Sequence, residues 1–106
     1  MKVRARIVLF SMLLSAGMAW AQRDPVQVAK GADVYFEKKC NVCHAINGKG
    51  GKAGPDLSAV GAKRDEEWLR TFIKAPKTMN PQSKMLPFKG SEEELEALAA
   101  YLGALK

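Results

Sequence analysis

Cys40, Cys43 and His44 are the only cysteines and the only histidine of the 106-residue chain, and they lie within five consecutive residues. Thiolate and imidazole groups are ligands for transition metals, and thiolates are also nucleophiles. A chain that places all of these groups in one short segment carries its chemistry there. Three kinds of site use such a segment: a structural zinc site, a thiol–disulfide exchange site and a covalent haem attachment site.

The first two kinds of site fit the sequence poorly. A structural zinc ion takes four protein ligands, usually in two pairs, whereas this chain supplies two cysteines and one histidine. A C-x-x-C exchange motif is expected at the start of a helix beside a βαβ pattern. Here the cysteine pair follows a helical pattern, and no βαβ pattern accompanies it.

The third kind of site fits the spacing, because C-x-x-C-H is the attachment signature of c-type haem. Cys40 and Cys43 are three residues apart, so each can bond one vinyl group at the edge of the macrocycle. The adjacent His44 is then placed to bind the iron from one face. The sequence therefore predicts one haem c, attached through Cys40 and Cys43, with His44 as an iron ligand.

A second iron ligand must come from a methionine, because no second histidine exists. Methionine opposite histidine raises the reduction potential of a haem. Met85 is followed by Pro87, which would stiffen the loop, and by Phe88, which could pack on the porphyrin. Met79 stands in a more polar stretch, closer to the end of the preceding helix. The context favours Met85, so His44 and Met85 are the predicted metal ligands.

Residues 1–21 read as a secretory signal peptide. Three basic residues precede an apolar run, and an Ala-Trp-Ala segment ends it. The apolar run is shorter than the roughly 20 residues that a membrane-spanning helix needs. We therefore expect cleavage after residue 21, export to a bacterial periplasm, and a single mature domain over 22–106 with no membrane span.

The charge of the chain falls once that segment is removed. The whole sequence has 17 Lys+Arg and 11 Asp+Glu, a net charge of +6, and removal of the three basic residues leaves +3. This value is too small to indicate binding to nucleic acid. A domain of this length has a marginal core and usually needs a metal, a disulfide or a cofactor to complete it.

A helix-capping signal opens the mature chain. Asp24 suits the N-cap position, and Pro25 suits the first helical position, where no N–H is needed. Apolar or small residues follow at steps of four and share one face: Val28, Ala32, Phe36 and Cys40. The pattern predicts a helix from about Pro25 into the cysteine motif.

Two further helices and two irregular stretches complete the chain. Residues 65–75 have helical apolar spacing behind an acidic first turn, and Ser91 with Glu94 forms a capping box before a final amphipathic helix. The glycine-rich segment 47–56 is expected to be a flexible wrapping loop, and the proline-containing segment 76–90 is expected to be irregular. No strand is predicted. The fold class is all-α, with three to four helices and long loops that need an object to pack against.

With these parts in order, the sequence resembles the class I cytochromes c, the small bacterial single-haem kind, from about Val28 to Leu105. In this cytochrome c fold the helices and loops wrap one haem. The resemblance rests on four segments in the family's order: Cys40–His44 as C-x-x-C-H, Gly54–Leu57 as G-P-x-L, Met85–Phe88 as M-x-P-F, and the C-terminal helix with Tyr101.

The resemblance implies roles close to the haem for two further residues. Pro55 would offer its backbone carbonyl to the Nδ1–H group of His44, which fixes the tautomer and leaves Nε2 for iron. Trp68 would donate its indole N–H toward a haem propionate, although a core role in its helix fits the sequence equally well.

The resemblance also predicts how the first and last helices cross. Phe36 would pack near Tyr101. The family often has a glycine one turn before that aromatic residue, and this chain has Ala32 there, preceded by Gly31. We therefore expect a slightly wider crossing.

Six ligands on the iron leave no open position, so the expected function is outer-sphere transfer of one electron at an exposed haem edge rather than enzymatic turnover. Two forms of this function remain open. One is a free shuttle, and the other is a dedicated haem subunit of a periplasmic dehydrogenase or oxidase. A Lys/Glu-rich surface favours the shuttle, which would be a monomer. Lysines flanking the predicted site would attract redox partners with acidic docking patches: Lys38, Lys39, Lys49, Lys52, Lys84 and Lys89.

Overall fold

The computed structural model describes residues 24–106, so the predicted signal segment lies outside the described residues. Helices dominate this part of the chain, and among its helices none is long and apolar enough to cross a membrane. The elements in chain order are α1 (Pro25–Glu37), a 3-10 turn (Cys40–Val42), β1 (Ala45–Ile46), β2 (Lys49–Gly50), α2 (Val60–Lys63), α3 (Glu66–Lys74), α4 (Pro76–Met79) and α5 (Glu92–Gly103). This part of the chain has more helices than the three to four predicted. The additional ones, α2 and α4, are single turns, which are too short to show an apolar periodicity in the sequence.

Helix α1 begins as predicted and ends earlier than predicted. The Asp24 side chain accepts a hydrogen bond from the backbone N–H of Val26 at 2.9 Å, as an N-cap residue does. The helix ends at Glu37 rather than continuing into the motif at Cys40. Lys39 adopts the left-handed conformation, with φ 61° and ψ 30°, and this turns the chain away from the helix axis.

The buried face of α1 is not the face that the sequence predicted. Gly31, Val34 and Tyr35 are buried, whereas Phe36 is 58% exposed. The ring of Tyr35, not that of Phe36, lies beside Tyr101, with 5.8 Å between ring centroids. Steps of four residues drift around a helix that has 3.6 residues per turn, so the predicted stripe diverges from the true contact line along α1.

Gly31 allows α1 and α5 to cross closely. A Cβ atom built on Gly31 would stand 2.6 Å from the Cβ of Tyr101, and it would be nearer still to the carbonyl oxygen of Ala97. The expected wider crossing at Ala32 is therefore wrong. Gly31 itself occupies the crossing point, and the two backbones approach as closely as a glycine permits.

Capping side chains set the starts of α3 and α5, and the sequence predicted the one before α5. Asp65 accepts a hydrogen bond from the Trp68 N–H at 2.7 Å. The capping box before α5 is complete, because the Glu94 N–H donates to Ser91 Oγ at 3.1 Å and the Ser91 N–H donates to Glu94 Oε1 at 2.9 Å. Both helices are thus oriented by local sequence signals.

The segment 76–90 is only partly irregular. Pro76 is buried and occupies the first position of α4, where a proline costs no hydrogen bond. After Met79 the chain has no further helix or strand until α5 begins. The C-terminal end of the segment 76–90 is fixed by a hydrogen bond, because the N–H of Phe88 donates to the carbonyl of Ile73 at 3.0 Å.

The core of the described chain lies between α1, α3 and α5. The core itself is apolar apart from one phenol: Val34, Tyr35, Leu69, Ile73, Leu95, Leu98 and Leu102.

Within residues 24–106, four ion pairs join the acidic residues of α5 to its neighbours: Lys30–Glu93 (2.5 Å), Lys38–Glu94 (3.9 Å), Arg70–Glu96, and Lys74–Glu92 (2.9 Å).

Candidate haem-binding site

The cysteine motif forms a single tight turn. The N–H groups of Cys43 and His44 both donate to the carbonyl of Cys40, at 3.2 and 3.0 Å. The two thiols are free rather than joined in a disulfide. Cys40 is half-buried against the core, Cys43 is exposed, and burial raises the pKa of the Cys40 thiol. Neither sulfur atom is therefore committed to a disulfide.

The glycine-rich segment 47–56 is a wrapping loop as predicted, apart from the short strand β2, and backbone hydrogen bonds hold it to the motif. Its N–H groups donate to alternate carbonyls of the motif segment. Composition gave no sign of this pairing, because only main-chain atoms take part. The bonds are Gly51 to Asn41 (2.9 Å), Gly54 to Cys43 (2.7 Å) and Leu57 to Ala45 (2.9 Å).

A short hairpin, which the sequence analysis missed, begins the same segment. Strands β1 and β2 pair antiparallel. Asn47 and Gly48 form the turn with φ angles of 52° and 81°. An Asn-Gly pair is the strongest short hairpin signal, and it was present in the sequence. The N–H of Asn47 also donates to Ser58 Oγ at 2.7 Å, which fixes the hairpin to the segment that follows.

The imidazole of His44 is fixed at its edge and across its face. Nδ1 lies 2.8 Å from the backbone carbonyl oxygen of Pro55. A carbonyl only accepts hydrogen bonds, so this contact requires the hydrogen to be on Nδ1 and leaves the lone pair of Nε2 free. Gly54 packs under the ring, where a Cβ atom would stand 2.5 Å from His44 Cε1. The geometry holds the imidazole in one orientation, with Nδ1 directed to Pro55.

Tyr35 also contacts His44, and the sequence analysis did not identify this residue. Its hydroxyl donates to the His44 backbone carbonyl at 3.3 Å, and the side chain is 1% exposed. Burial, with smaller effects from Cys40 and Tyr101, raises the pKa of Tyr35 to about 12. A signal existed in the sequence, since a tyrosine one turn after Gly31 shares the face that crosses α5.

The two candidate methionines differ in their surroundings. Met85 is half-buried and packs against the core, whereas Met79 is 39% exposed at the end of α4. The N–H of Met85 donates to Ser83 Oγ at 3.2 Å, and Phe88 packs against the core with the Lys38 ammonium 5.8 Å from its ring centroid. Of the two methionines, Met85 is therefore the one whose side chain packs against the core.

Trp68 is held by aromatic and cationic neighbours. Its ring stacks on Phe72 with 5.0 Å between centroids and 10° between planes. Arg64, which precedes α3 in the chain, places its guanidinium 4.2 Å from the centroid of the Trp68 ring. The side chain also packs against the core, as the structural alternative in the sequence analysis anticipated.

The residues around the motif fit a haem. Several apolar side chains pack against the core while part of their surface stays exposed, and an apolar macrocycle would cover such a surface. These side chains come from the motif, the wrapping segment, α3 and the methionine segment: Cys40, Ile46, Leu57, Trp68, Met85 and Phe88.

Comparison with known proteins agrees with this geometry. The sequence profile of the family described as cytochrome c matches residues 28–106. The chain belongs to the cytochrome c family. It therefore carries covalently bound haem c and functions in electron transfer, and the predicted all-α cytochrome c fold is confirmed.

Individual relatives give the same assignment. Cytochrome c oxidase subunit 2 of Alkalihalophilus pseudofirmus is 32% identical over 101 residues, covering 85% of this chain and 30% of that protein. The menaquinol:cytochrome c reductase cytochrome c subunit of Bacillus subtilis is 36% identical over 74 residues, covering 70% of this chain and 27% of that protein. The chain thus spans less than a third of the length of these relatives.

A solved structure has the same fold. The c-type cytochrome SorU from Sinorhizobium meliloti superimposes with a TM-score of 0.62 over 77% of this chain and 93% of that one, at 24% sequence identity.

Proposed function

We propose that this chain is a one-electron carrier in which Cys40 and Cys43 hold the haem by thioether bonds, and His44 and Met85 bind its iron from opposite faces. The observation that carries the proposal is the 2.8 Å contact between His44 Nδ1 and the Pro55 carbonyl. It commits the hydrogen of a neutral imidazole to Nδ1, so that Nε2 is a free donor of an electron pair.

Each proposed residue has a separate role. The haem supplies an iron that is oxidised and reduced reversibly by one electron. The two thioether bonds prevent loss of the group, and the methionine thioether favours the reduced state of the iron. With His44 and Met85 holding the iron, no position would be left for a substrate, and we propose that the chain is not an enzyme.

Lysines near the site support docking to acidic redox partners. Lys38 is less available than its sequence position suggested, because it pairs with Glu94. Within the described chain, the other predicted lysines form no ion pair and leave positive charge around the motif and methionine segments: Lys39, Lys49, Lys52, Lys84 and Lys89.

A permanent haem subunit of a larger complex is the second candidate. Two relatives are named as subunits of an oxidase and of a menaquinol:cytochrome c reductase, which supports it. Gel filtration of a native extract separates the candidates. Haem that elutes at the mass of the chain alone supports the shuttle, whereas haem found only at high mass supports the subunit.

Export to the periplasm also belongs to the proposal, and residues 1–21 support it as a signal peptide. The intact mass of the purified haem protein tests this point. A chain that begins at residue 22 supports cleavage and export. A chain that retains residues 1–21 contradicts cleavage.

The ligation is tested by the optical spectrum of the haem-loaded protein, made in a host with haem c maturation. Haem should remain with the protein after acid-acetone extraction. A ferric charge-transfer band characteristic of methionine–iron bonding should be present and should disappear in Met85→Ala. Met79→Ala is the matched control and should keep the band. Loss of the band in Met79→Ala alone would reverse the assignment.

A further inference from the structure

Four of the contacts that restrain His44 come from two different parts of the molecule. Its N–H donates to the Cys40 carbonyl, its Nδ1 contacts Pro55, and its ring packs on Gly54. These three restraints come from the motif and from the segment that wraps it. The fourth is the hydrogen bond from Tyr35 to the His44 carbonyl, and it comes from helix α1.

The hydroxyl of Tyr35 is not needed for packing. The side chain is 1% exposed and lies in an otherwise apolar core. A phenylalanine would fill nearly the same volume without requiring a hydrogen-bond partner, whereas a buried hydroxyl is unfavourable unless it is paired. The group that pairs it is the carbonyl of His44, the residue proposed to bind iron.

The ring of Tyr35 is also well placed to hold that carbonyl in position. It packs edge-on against Phe36, with centroids 5.2 Å apart, and beside Tyr101, with centroids 5.8 Å apart. One turn earlier on α1, Gly31 fixes the close approach to α5. The hydroxyl is therefore anchored to the crossing of the first and last helices.

We propose that Tyr35 is a positioning residue for His44, which ties the His44 backbone to the α1–α5 crossing and thereby sets the orientation of the imidazole plane. The inference rests on the proposed function, because it concerns His44 as an iron ligand. The 3.3 Å separation is long for an O–H···O hydrogen bond. The bond is thus weak, and its main effect is on orientation rather than on resistance to unfolding.

Tyr101 provides a matched control. It belongs to the same aromatic group as Tyr35, and its hydroxyl has no hydrogen-bond partner within residues 24–106. Tyr35→Phe and Tyr101→Phe therefore remove the same atom from neighbouring rings, and only the first removes a contact to His44.

The experiment is proton NMR of the ferric haem-loaded protein. The spread of the haem methyl shifts reports the orientation of the axial ligand planes, and exchange of the His44 Nδ1 hydrogen with solvent reports how firmly the ring is held. In Tyr35→Phe we expect a changed spread and exchange faster by about twofold, because the lost hydrogen bond is at the weak end of the usual range. In Tyr101→Phe we expect the wild-type spread and rate.

Two results would overturn the inference: a Tyr35→Phe spectrum identical to wild type, or equal changes in both variants, which would indicate aromatic packing alone. If Tyr35→Phe does not fold, the wild-type protein still allows the contact between Tyr35 and His44 to be tested. The hydroxyl hydrogen of Tyr35 should exchange far more slowly than that of Tyr101, and equal rates would refute the contact. Loss of methionine–iron bonding in the wild type would instead refute the proposed function.

Discussion

The helical core and the segments that carry the site are stabilised in different ways. Helices α1, α3 and α5 bury leucine, isoleucine and valine side chains against one another. In contrast, no residue in 36–60 or 77–94 is fully buried, although these two site segments hold both cysteines and both candidate axial ligands. The core depends on side-chain burial, whereas the site segments depend on backbone hydrogen bonds and close glycine contacts.

This difference indicates where the haem contributes to the fold. Half-buried side chains such as Ile46, Leu57 and Met85 contact the core on one side only. Covering their other side with the macrocycle would bury apolar surface that the chain cannot bury alone. The cofactor would thus complete the second half of the core as well as carry the electron.

The largest effect is expected from removal of the haem. The double variant Cys40→Ala/Cys43→Ala cannot form the thioether bonds, and we expect the haem-free chain to be largely unfolded. Any residual protection from hydrogen exchange should lie in α1 and α5 rather than in residues 36–60. The measurement is amide exchange by NMR, with the haem-loaded wild type as control. A well-dispersed spectrum covering both site segments would contradict the expectation.

A methyl group at the helix crossing should give the next largest effect. Gly31→Ala places a Cβ atom against the backbone of α5 at Ala97. We expect a loss of about 1–3 kcal/mol in the free energy of unfolding, as for overpacked cores. Urea titration of the haem-loaded protein measures it.

Gly48→Ala is the matched control for that variant. A Cβ atom there meets nothing within 4 Å, and only the φ of +81° opposes it. Its cost should be smaller, on the order of 1 kcal/mol. Equal losses in the two variants would show that the crossing is not tightly packed.

The same substitution in a site segment should change a different property. In Gly54→Ala the new methyl group meets the His44 ring, which must tilt or shift. We expect a larger change in the haem methyl shifts than in Gly31→Ala, together with a smaller loss in the free energy of unfolding. A large loss of stability with unchanged shifts would mean that Gly54 serves packing rather than the orientation of the ligand.

Acid should weaken the contacts around α5, with the smallest effect of the series. Hydrogen bonds from Lys74 to Glu92, and from the Ser91 N–H to Glu94, lower the pKa of both carboxyl groups below the usual 4.5. A lowered pKa in the folded state stabilises the fold above pH 4.5, and this stabilisation is lost as the pH falls through the folded values.

The measurement for this prediction is stability against pH in two variants. Glu92→Gln should show a shallower loss below pH 4.5 than wild type, because it no longer titrates. Glu37→Gln is the control, since Glu37 forms no ion pair among residues 24–106 and should follow the wild-type curve. Identical curves for all three proteins would show that Glu92 does not contribute to the loss of stability in acid.

The sequence predicted what depends on local signals and failed where main-chain contacts decide. The caps at Asp24 and Ser91 were readable, because each depends on a side chain and a nearby N–H group. The buried face of α1 was misassigned, since the close approach at Gly31 is a property of two helices. The bonds from the wrapping segment to the motif carbonyls have no side-chain signature at all.

The proposed site residues could be named from the sequence because their chemistry leaves few alternatives. Cys40, Cys43 and His44 have a fixed spacing, and the chain offers no other cysteine or histidine. Tyr35 escaped notice because its partner is a backbone carbonyl, and a carbonyl is present at every residue. Its contact required the three-dimensional position of the motif relative to α1.

The crossing of α1 and α5 also has a consequence for the order of events during synthesis. Gly31 precedes its partner Ala97 by most of the described chain, so this contact cannot form until residue 97 has been made. A nascent chain emerges from its N-terminal end first. The cysteine thiols are therefore exposed well before the final helix arrives. The topology gives a haem-attaching enzyme an interval in which to reach an open chain before the fold closes around the cofactor.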